Sequence, residues 1–329
     1  MDEIFTKIEY YSSIISKEID WLWYPYIPYG RITVIQGDPG DGKTTFVLQI
    51  AAKLSMGQPM PESVSAVPPQ NVIYQSIEDS ITDTIKPRLI AAGADCKRIA
   101  FIDDTAYPLT LNDERLECAV DKCKARLLVL DPLQAFIGTD SDMYRANEIR
   151  PLMQKLARIA ERTRCAVVII GHMNKSTSSK GLYRSLGSID ITAVARSVLL
   201  IGRVKDEPLI RVMTQIKNNL APEGQAIAFE MAADGGVRWI GHYDITSDDL
   251  LSGGSHANDS KVEQARDLLR DALTPNPIPC VDGYALCKKS GISKRTTETA
   301  KRLEGIKSIK MPDGWYWTLK SDGGNLICR

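Results

Sequence analysis

Residues 34–45, "VIQGDPGDGKTT", constrain this chain more than any other stretch, because an apolar run passes there into a segment with almost no side chains to bury. Gly37, then Gly42, Lys43 and Thr44, satisfy the spacing G-x-x-x-x-G-K-[ST] in full. Glycines at those positions let successive backbone N–H groups and the start of the next helix close around an anion. The candidate nucleotide-binding residues are therefore Gly37, Asp38, Pro39, Gly40, Asp41, Gly42, Lys43, Thr44 and Thr45. Lys43 is expected to reach the β- and γ-phosphates of ATP, and the Thr44 hydroxyl to ligate Mg²⁺. The flanks agree, since 31–35 reads as a buried strand and 44–54 as a helix.

From about 31 to 239, short β-branched runs alternate with helical segments, which predicts an α/β fold with a mostly parallel sheet covered by helices. Strands are expected at 31–36, 71–76, 99–102, 126–130, 166–170, 197–201, 209–215 and 226–231. The last ones follow one another without helices, so they are expected as antiparallel additions at one edge. Residues 244–260, "DITSDDLLSGGSHANDS", are polar and without period and read as a linker. Beyond it, helices at 261–273, 281–289 and 293–303 and a hairpin around Asp313-Gly314 predict a small winged helix-turn-helix domain over 261–329. The ATPase domain is then 1–243.

Three other stretches bring polar groups to strand ends. "RLLVLDPL" places Asp131 after four apolar residues, where it is expected to hold Mg²⁺ with Thr44. "NVIYQSIEDS" ends in Glu78 and Asp79; Glu78, longer by a methylene, is the candidate base for the attacking water, and either residue could instead cap a helix. "VVIIGHMNKS" ends in His172, readable as a γ-phosphate sensor or as a structural histidine.

With these residues assembled, the chain resembles the RecA-like ATPases, in particular the branch of RepA-type plasmid helicases and their phage and mobile-element relatives. The resemblance spans about 21–231 and is carried by "WLWYPYIPYGRITVIQGDPGDGKTT", "SIEDSITDTIKPRL", "LLVLDPL", "GHMNKS", "LYRSLGSIDITAVARSVLL" and "IKNNLAPEG". It implies that Glu78 is the catalytic base and that His172 couples nucleotide state to DNA-binding loops. "IKNNLAP" looks like the RecA segment whose two lysines reach the neighbouring subunit's ATP. Here Lys217 stands at the first position and Asn219 at the second, which turns attention to Arg196 or Arg184 as the cation acting in trans. The family's shared ATP sites imply a homo-oligomer, expected as a hexamer. Its equivalent of 175–188, with Lys175, Lys180, Tyr183 and Arg184, grips single-stranded DNA; composition alone allows an ordinary surface loop.

Charge adds little globally, because 41 basic residues balance 41 acidic ones and leave no overall field to attract nucleic acid. Locally, 255–329 carries 13 Lys and Arg against 9 Asp and Glu, and Lys294, Arg295, Lys301 and Arg302 cluster on the expected recognition helix. That helix is expected to bind DNA, with protein contact as the alternative. Seven cysteines without a C-x-x-C pair read as free thiols, and no apolar run reaches membrane length, so a cytoplasmic protein without membrane contact is expected. Together these readings predict an ATP-hydrolysing motor on DNA, foremost a replicative helicase of a plasmid, phage or mobile element. The rivals are a non-translocating recombinase-like or loader ATPase and an ATP-sensing DNA-binding regulator.

Overall fold

The computed structural model describes residues 8–138, 145–173, 189–204, 207–232, 236–251, 257–274, 276–312 and 314–319. A short antiparallel pair, β1 (Trp21–Trp23) and β2 (Ile27–Pro28), precedes the main sheet. It buries Trp23, whose indole N–H donates to the Pro61 carbonyl at 3.0 Å and whose ring packs near Phe46.

The main sheet contains β3 (Ile32–Gly37), β4 (Asn71–Ser76), β5 (Ile99–Ala100), β6 (Ala125–Asp131), β7 (Ala166–His172), β8 (Ser197–Val204), β9 (Glu207–Asn218), β10 (Ile227–Met231) and β11 (Val237–His242). Their order is β11-β10-β9-β8-β3-β7-β6-β4-β5. From β8 to β5 all neighbours are parallel, and β9, β10 and β11 add antiparallel at one edge. The α/β class with a mostly parallel sheet is therefore as expected, although β5 is shorter and β9 longer than the sequence pattern indicates.

Both faces of the sheet are covered, which explains why its central strands are continuous apolar runs. Alternate residues serve opposite layers. Leu127 and Val129 of β6 pack with Phe46, Ile50 and Leu54 of α1 (Lys43–Met56) and with Leu89 of α2 (Lys86–Ala91). Leu128 and Leu130 pack with Leu116 of α3 (Glu114–Cys123), Met153 and Leu156 of α4 (Ala146–Thr163) and Ile191 of α5 (Ile189–Val194). Helix α1 ends where Gly57 adopts φ +68° and its N–H caps the Lys53 and Leu54 carbonyls.

The segment read as a linker carries structure of its own: α6 (Ser247–Leu251) lies inside it, and Leu250 is buried with Leu200, Val212 and Tyr243. Gly202 leaves room for it, since a Cβ there would come 2.9 Å from Leu250 Cγ. A polar composition hid three residues, Ile245, Leu250 and Leu251, that reach the sheet.

The remaining elements are α7 (Ala257–Leu273), β12 (Ile278–Pro279), α8 (Cys280–Lys289), α9 (Lys294–Leu303), β13 (Lys307–Met311) and β14 (Gly314–Thr318). They enclose a separate core of Ala265, Leu269, Cys287, Ile292, Ala300, Ile306 and Trp317. Ser293 caps α9 by accepting the Thr296 N–H at 3.1 Å. Among the described residues six cysteines are free thiols, and no helix is long and apolar enough to cross a membrane.

Candidate nucleotide site

Strands β3, β7, β6 and β4 are adjacent and parallel, so their C-terminal ends meet at one edge of the sheet, where α/β folds bind ligands. Gly37 pairs in register with His172, and Ser76 with Asp131. The loop between β3 and α1 then turns back over that edge. Gly40 and Gly42 take φ of +80° and +87°, which L side chains resist. Gly37 is required for a different reason: a Cβ there would stand 2.1 Å from the Ile201 carbonyl oxygen.

Lys43, the first residue of α1, is buried, and all three of its donors find acceptors. Its Nζ donates to the Gly37 and Asp38 carbonyls at 2.8 Å each and lies 3.3 Å from His172 Nδ1. An ammonium only donates, so Nδ1 accepts and the ring N–H sits on Nε2. Nε2 faces Glu78 Oε2 at 3.8 Å. Burial draws the Lys43 pKa down, while Asp41, Asp131, Asp38 and Glu78 act against that shift. Lys43, His172 and Glu78 thus form a row, with the Glu78 carboxylate at its exposed end.

A second cluster adjoins the first. Asp131 is buried, and its Oδ2 accepts from Thr44 Oγ1 at 2.8 Å and from the Tyr74 hydroxyl at 2.7 Å. Burial raises the Asp131 pKa, and the two hydrogen bonds oppose the rise. A hydroxyl beside a carboxylate is an all-oxygen donor set that fits a hard cation such as Mg²⁺. Thr45 is buried in the first turn of α1, whereas Asp38 and Pro39 are exposed.

Asp79, weighed as a helix cap, instead pairs with Arg88 at 3.1 Å, and a π-helical turn, Ile81–Ile85, begins after Ser80 without a side-chain cap. Lys217 lies near the end of β9 and donates to the Thr192 and Ala195 carbonyls at 2.7 and 2.9 Å, capping α5 of its own chain. Arg196 is exposed just before β8. Lys175, Lys180, Tyr183 and Arg184 lie outside the described residues, as does the Arg295 side chain. Lys294 sits 5.1 Å over the Tyr284 ring, and Lys301 sits 4.8 Å over Trp317 and 3.6 Å from Glu298. Arg302 is exposed.

Two residues of the site have no motif. Tyr74 reads as one more core aromatic, although a tyrosine inside a buried strand needs a partner for its hydroxyl. Arg203 reads as a polar break at the end of β8; it bonds Asp41 at 3.1 Å and the Gly40 carbonyl at 2.7 Å.

Comparison with known proteins gives a family and relatives. Residues 12–178 match the AAA domain family AAA_25. The DNA repair protein RadA of Halalkalibacterium halodurans is 26% identical over 240 residues, 72% of this chain and 47% of that protein. RadA of Helicobacter pylori is 25% identical over 68% of this chain and 45% of its own length, and RadA of Bacillus subtilis 23% identical over 73% and 48%. This chain therefore spans about half the length of the curated relatives it matches. A KaiC-like protein, PH0186, from Pyrococcus horikoshii is 17% identical, with a TM-score of 0.47 over 65% of this chain and 90% of that one. Carrying the full phosphate loop inside a family match that covers half its length, the chain belongs to the AAA domain family AAA_25, which is made up of RecA-like P-loop ATPases.

Proposed function

We propose that the protein is an oligomeric RecA-like motor that hydrolyses ATP while acting on DNA. The observation that carries this reading is the row Lys43–His172–Glu78 beside the Thr44–Asp131 pair. Mg²⁺ held by Thr44 and Asp131 would neutralise charge on the β- and γ-phosphates. Lys43 exchanges the Gly37 and Asp38 carbonyls for phosphate oxygens, and in doing so releases His172 Nδ1. Glu78 orients the attacking water and takes its proton, a role typically worth about 10²–10⁴ in rate. His172, touching both residues, is placed to report phosphate occupancy to residues 174–188, which follow β7 directly.

DNA as the partner is supported by the relatives named DNA repair proteins and by the basic balance of 255–329. In this reading 1–243 is the ATPase domain and 261–329 a winged helix-turn-helix whose α9 meets duplex DNA, with Lys294 and Arg302 as exposed described cations. The sites lie between subunits of a ring, expected as a hexamer. A replicative helicase is the primary reading. A recombinase-like ATPase that changes DNA affinity without translocating is the second, and the RadA relatives favour it at least equally.

The test combines nucleotide affinity, phosphate release and strand displacement on forked DNA. Lys43→Ala should lose nucleotide binding, whereas Glu78→Gln should bind normally and lose most turnover. Displacement that needs ATP supports the helicase. DNA-stimulated hydrolysis without displacement supports the second reading. Parental turnover in Glu78→Gln removes that residue as the base.

A further inference from the structure

A loop that holds a polyphosphate should avoid negative charge, yet this one contains Asp38 and Asp41, and the Asp41 side chain is only 10% exposed. A covered carboxylate this close to Lys43 repels any incoming phosphate. Burial and the nearby Asp38 push the Asp41 pKa up, while Arg203 and Lys43 favour its charged form.

The geometry supplies compensation from β8. Arg203 Nε stands 3.1 Å from Asp41 Oδ1, and Nη2 donates to the Gly40 carbonyl at 2.7 Å. The other carboxylate oxygen, Oδ2, accepts the Asp38 N–H at 3.1 Å. One guanidinium and one carboxylate thus tie three points of the loop, at residues 38, 40 and 41, to the strand beside it. Space is fitted to this tie, because a Cβ on Gly40 would come 2.9 Å from Arg203 Nη2. Directly across the ladder stands Arg211, 7% exposed, whose Nε has no hydrogen-bond partner among the described residues. Burial lowers the Arg211 pKa, Arg203 adds to the lowering and Asp41 opposes it.

We propose that Arg203 is a positioning residue that neutralises Asp41 and holds the phosphate loop in the shape that these contacts define, and so sets the affinity of this chain for a nucleoside polyphosphate. The affinity half rests on the reading of the loop as a nucleotide site; the loop-shaping half does not. Removing Arg203 alone leaves a covered, uncompensated carboxylate, a loss larger than removing both partners. Arginine suits the task because its planar fork serves the Asp41 carboxylate and the Gly40 carbonyl together, which a lysine cannot do.

The full-length chain tests this with two measurements. The first is the dissociation constant of a fluorescent ADP for the parent, Arg203→Gln, Arg203→Lys and the double variant Asp41→Asn/Arg203→Gln. Arg203→Gln should bind at least tenfold more weakly, Arg203→Lys should fall between it and the parent, and the double variant should return to within about threefold of the parent. The second is amide hydrogen exchange over residues 37–45 without nucleotide, which should quicken in Arg203→Gln even if it folds less stably elsewhere. Parental affinity in Arg203→Gln, or a double variant as weak as that single one, overturns the affinity role. Unchanged exchange over the loop overturns the shaping role. A parent that binds no nucleotide but still shows the exchange effect refutes the nucleotide reading and leaves the shaping role standing.

Discussion

Tyr74 and Asp131 meet inside the sheet: the Tyr74 hydroxyl donates to Asp131 Oδ2 at 2.7 Å, the same oxygen that receives Thr44 Oγ1. Burial and the charge of Asp131 raise the phenol pKa well above its ordinary value, so Tyr74 is a permanent donor. It fixes the orientation of a carboxylate that Thr44 alone would leave free to rotate. Tyr74→Phe keeps the ring and deletes this bond, which for a charged acceptor is worth about 1.5–3 kcal/mol of stability. Loss of such a supporting partner typically costs roughly tenfold or more in metal affinity. The expected outcome is a rise of about that size in the Mg²⁺ concentration that half-saturates nucleotide binding, with metal-free binding little changed. A coincident Mg²⁺ titration for parent and variant would show that Tyr74 only fills space.

Gly37→Ala probes the closeness of β3 and β8. Where the backbone angles suit alanine and there is room for a methyl group, Gly→Ala stabilises through the unfolded chain. Here the new methyl would sit 2.1 Å from the Ile201 carbonyl oxygen, so backbone must move. The expected result is destabilisation of about 1–3 kcal/mol or more, with a lower melting temperature and weakened nucleotide binding together. A variant that melts at or above the parent contradicts the register of these strands.

The C-terminal elements carry a pH-dependent contact. Glu304 is largely covered and accepts from Arg270 at 2.8 Å and from Arg266 at 2.7 Å. The Arg270 hydrogen bond, followed by the Arg266 one, holds its pKa below the ordinary 4.5. A carboxylate with a lowered folded pKa adds stability above its unfolded value and loses it as pH falls through the folded value. Glu304→Gln should therefore loosen α7 and α9 at neutral pH, and the difference from the parent should shrink as pH falls below the ordinary glutamate value and vanish only once pH is below the lowered folded value. Hydrogen exchange of those helices at several pH values measures it; a difference that persists unchanged at low pH excludes this charge pair as the cause.

What the chain discloses by sequence follows from where its information is local. The phosphate loop, Asp131 after its apolar run and His172 at the end of β7 are each fixed by a short pattern, and the parallel sheet brings them to one edge. Arg203 and Tyr74 are different, because their meaning lies in a neighbour 162 or 57 residues away and nothing beside them in the chain announces it. Lys217 differs from both. Its segment resembles one that reaches across subunits, but its ammonium is used by the Thr192 and Ala195 carbonyls of its own chain. Lys294 and Lys301 stand over the rings of Tyr284 and Trp317, pairings that no local pattern announces.

That difference between Arg196 and Lys217 makes the trans-acting cation testable. A transferring γ-phosphoryl group gains from a cation offered by a neighbour, worth roughly 10³–10⁵ in rate. Arg196 is exposed between α5 and β8, whereas Lys217 is half-buried against α5, with a pKa lowered first by burial and then by Arg196. Arg196→Ala should keep ATP binding and lose turnover. Lys217→Ala should instead quicken amide exchange across α5, because the last carbonyls of that helix lose their donor. Mixing Arg196→Ala subunits with Glu78→Gln subunits creates some shared sites with both functional halves, so phosphate release should recover partly and peak near equal proportions. Lack of recovery in verified mixed oligomers, or full activity in a verified monomer, would remove Arg196 as a neighbour's cation and with it the case for sites shared between subunits.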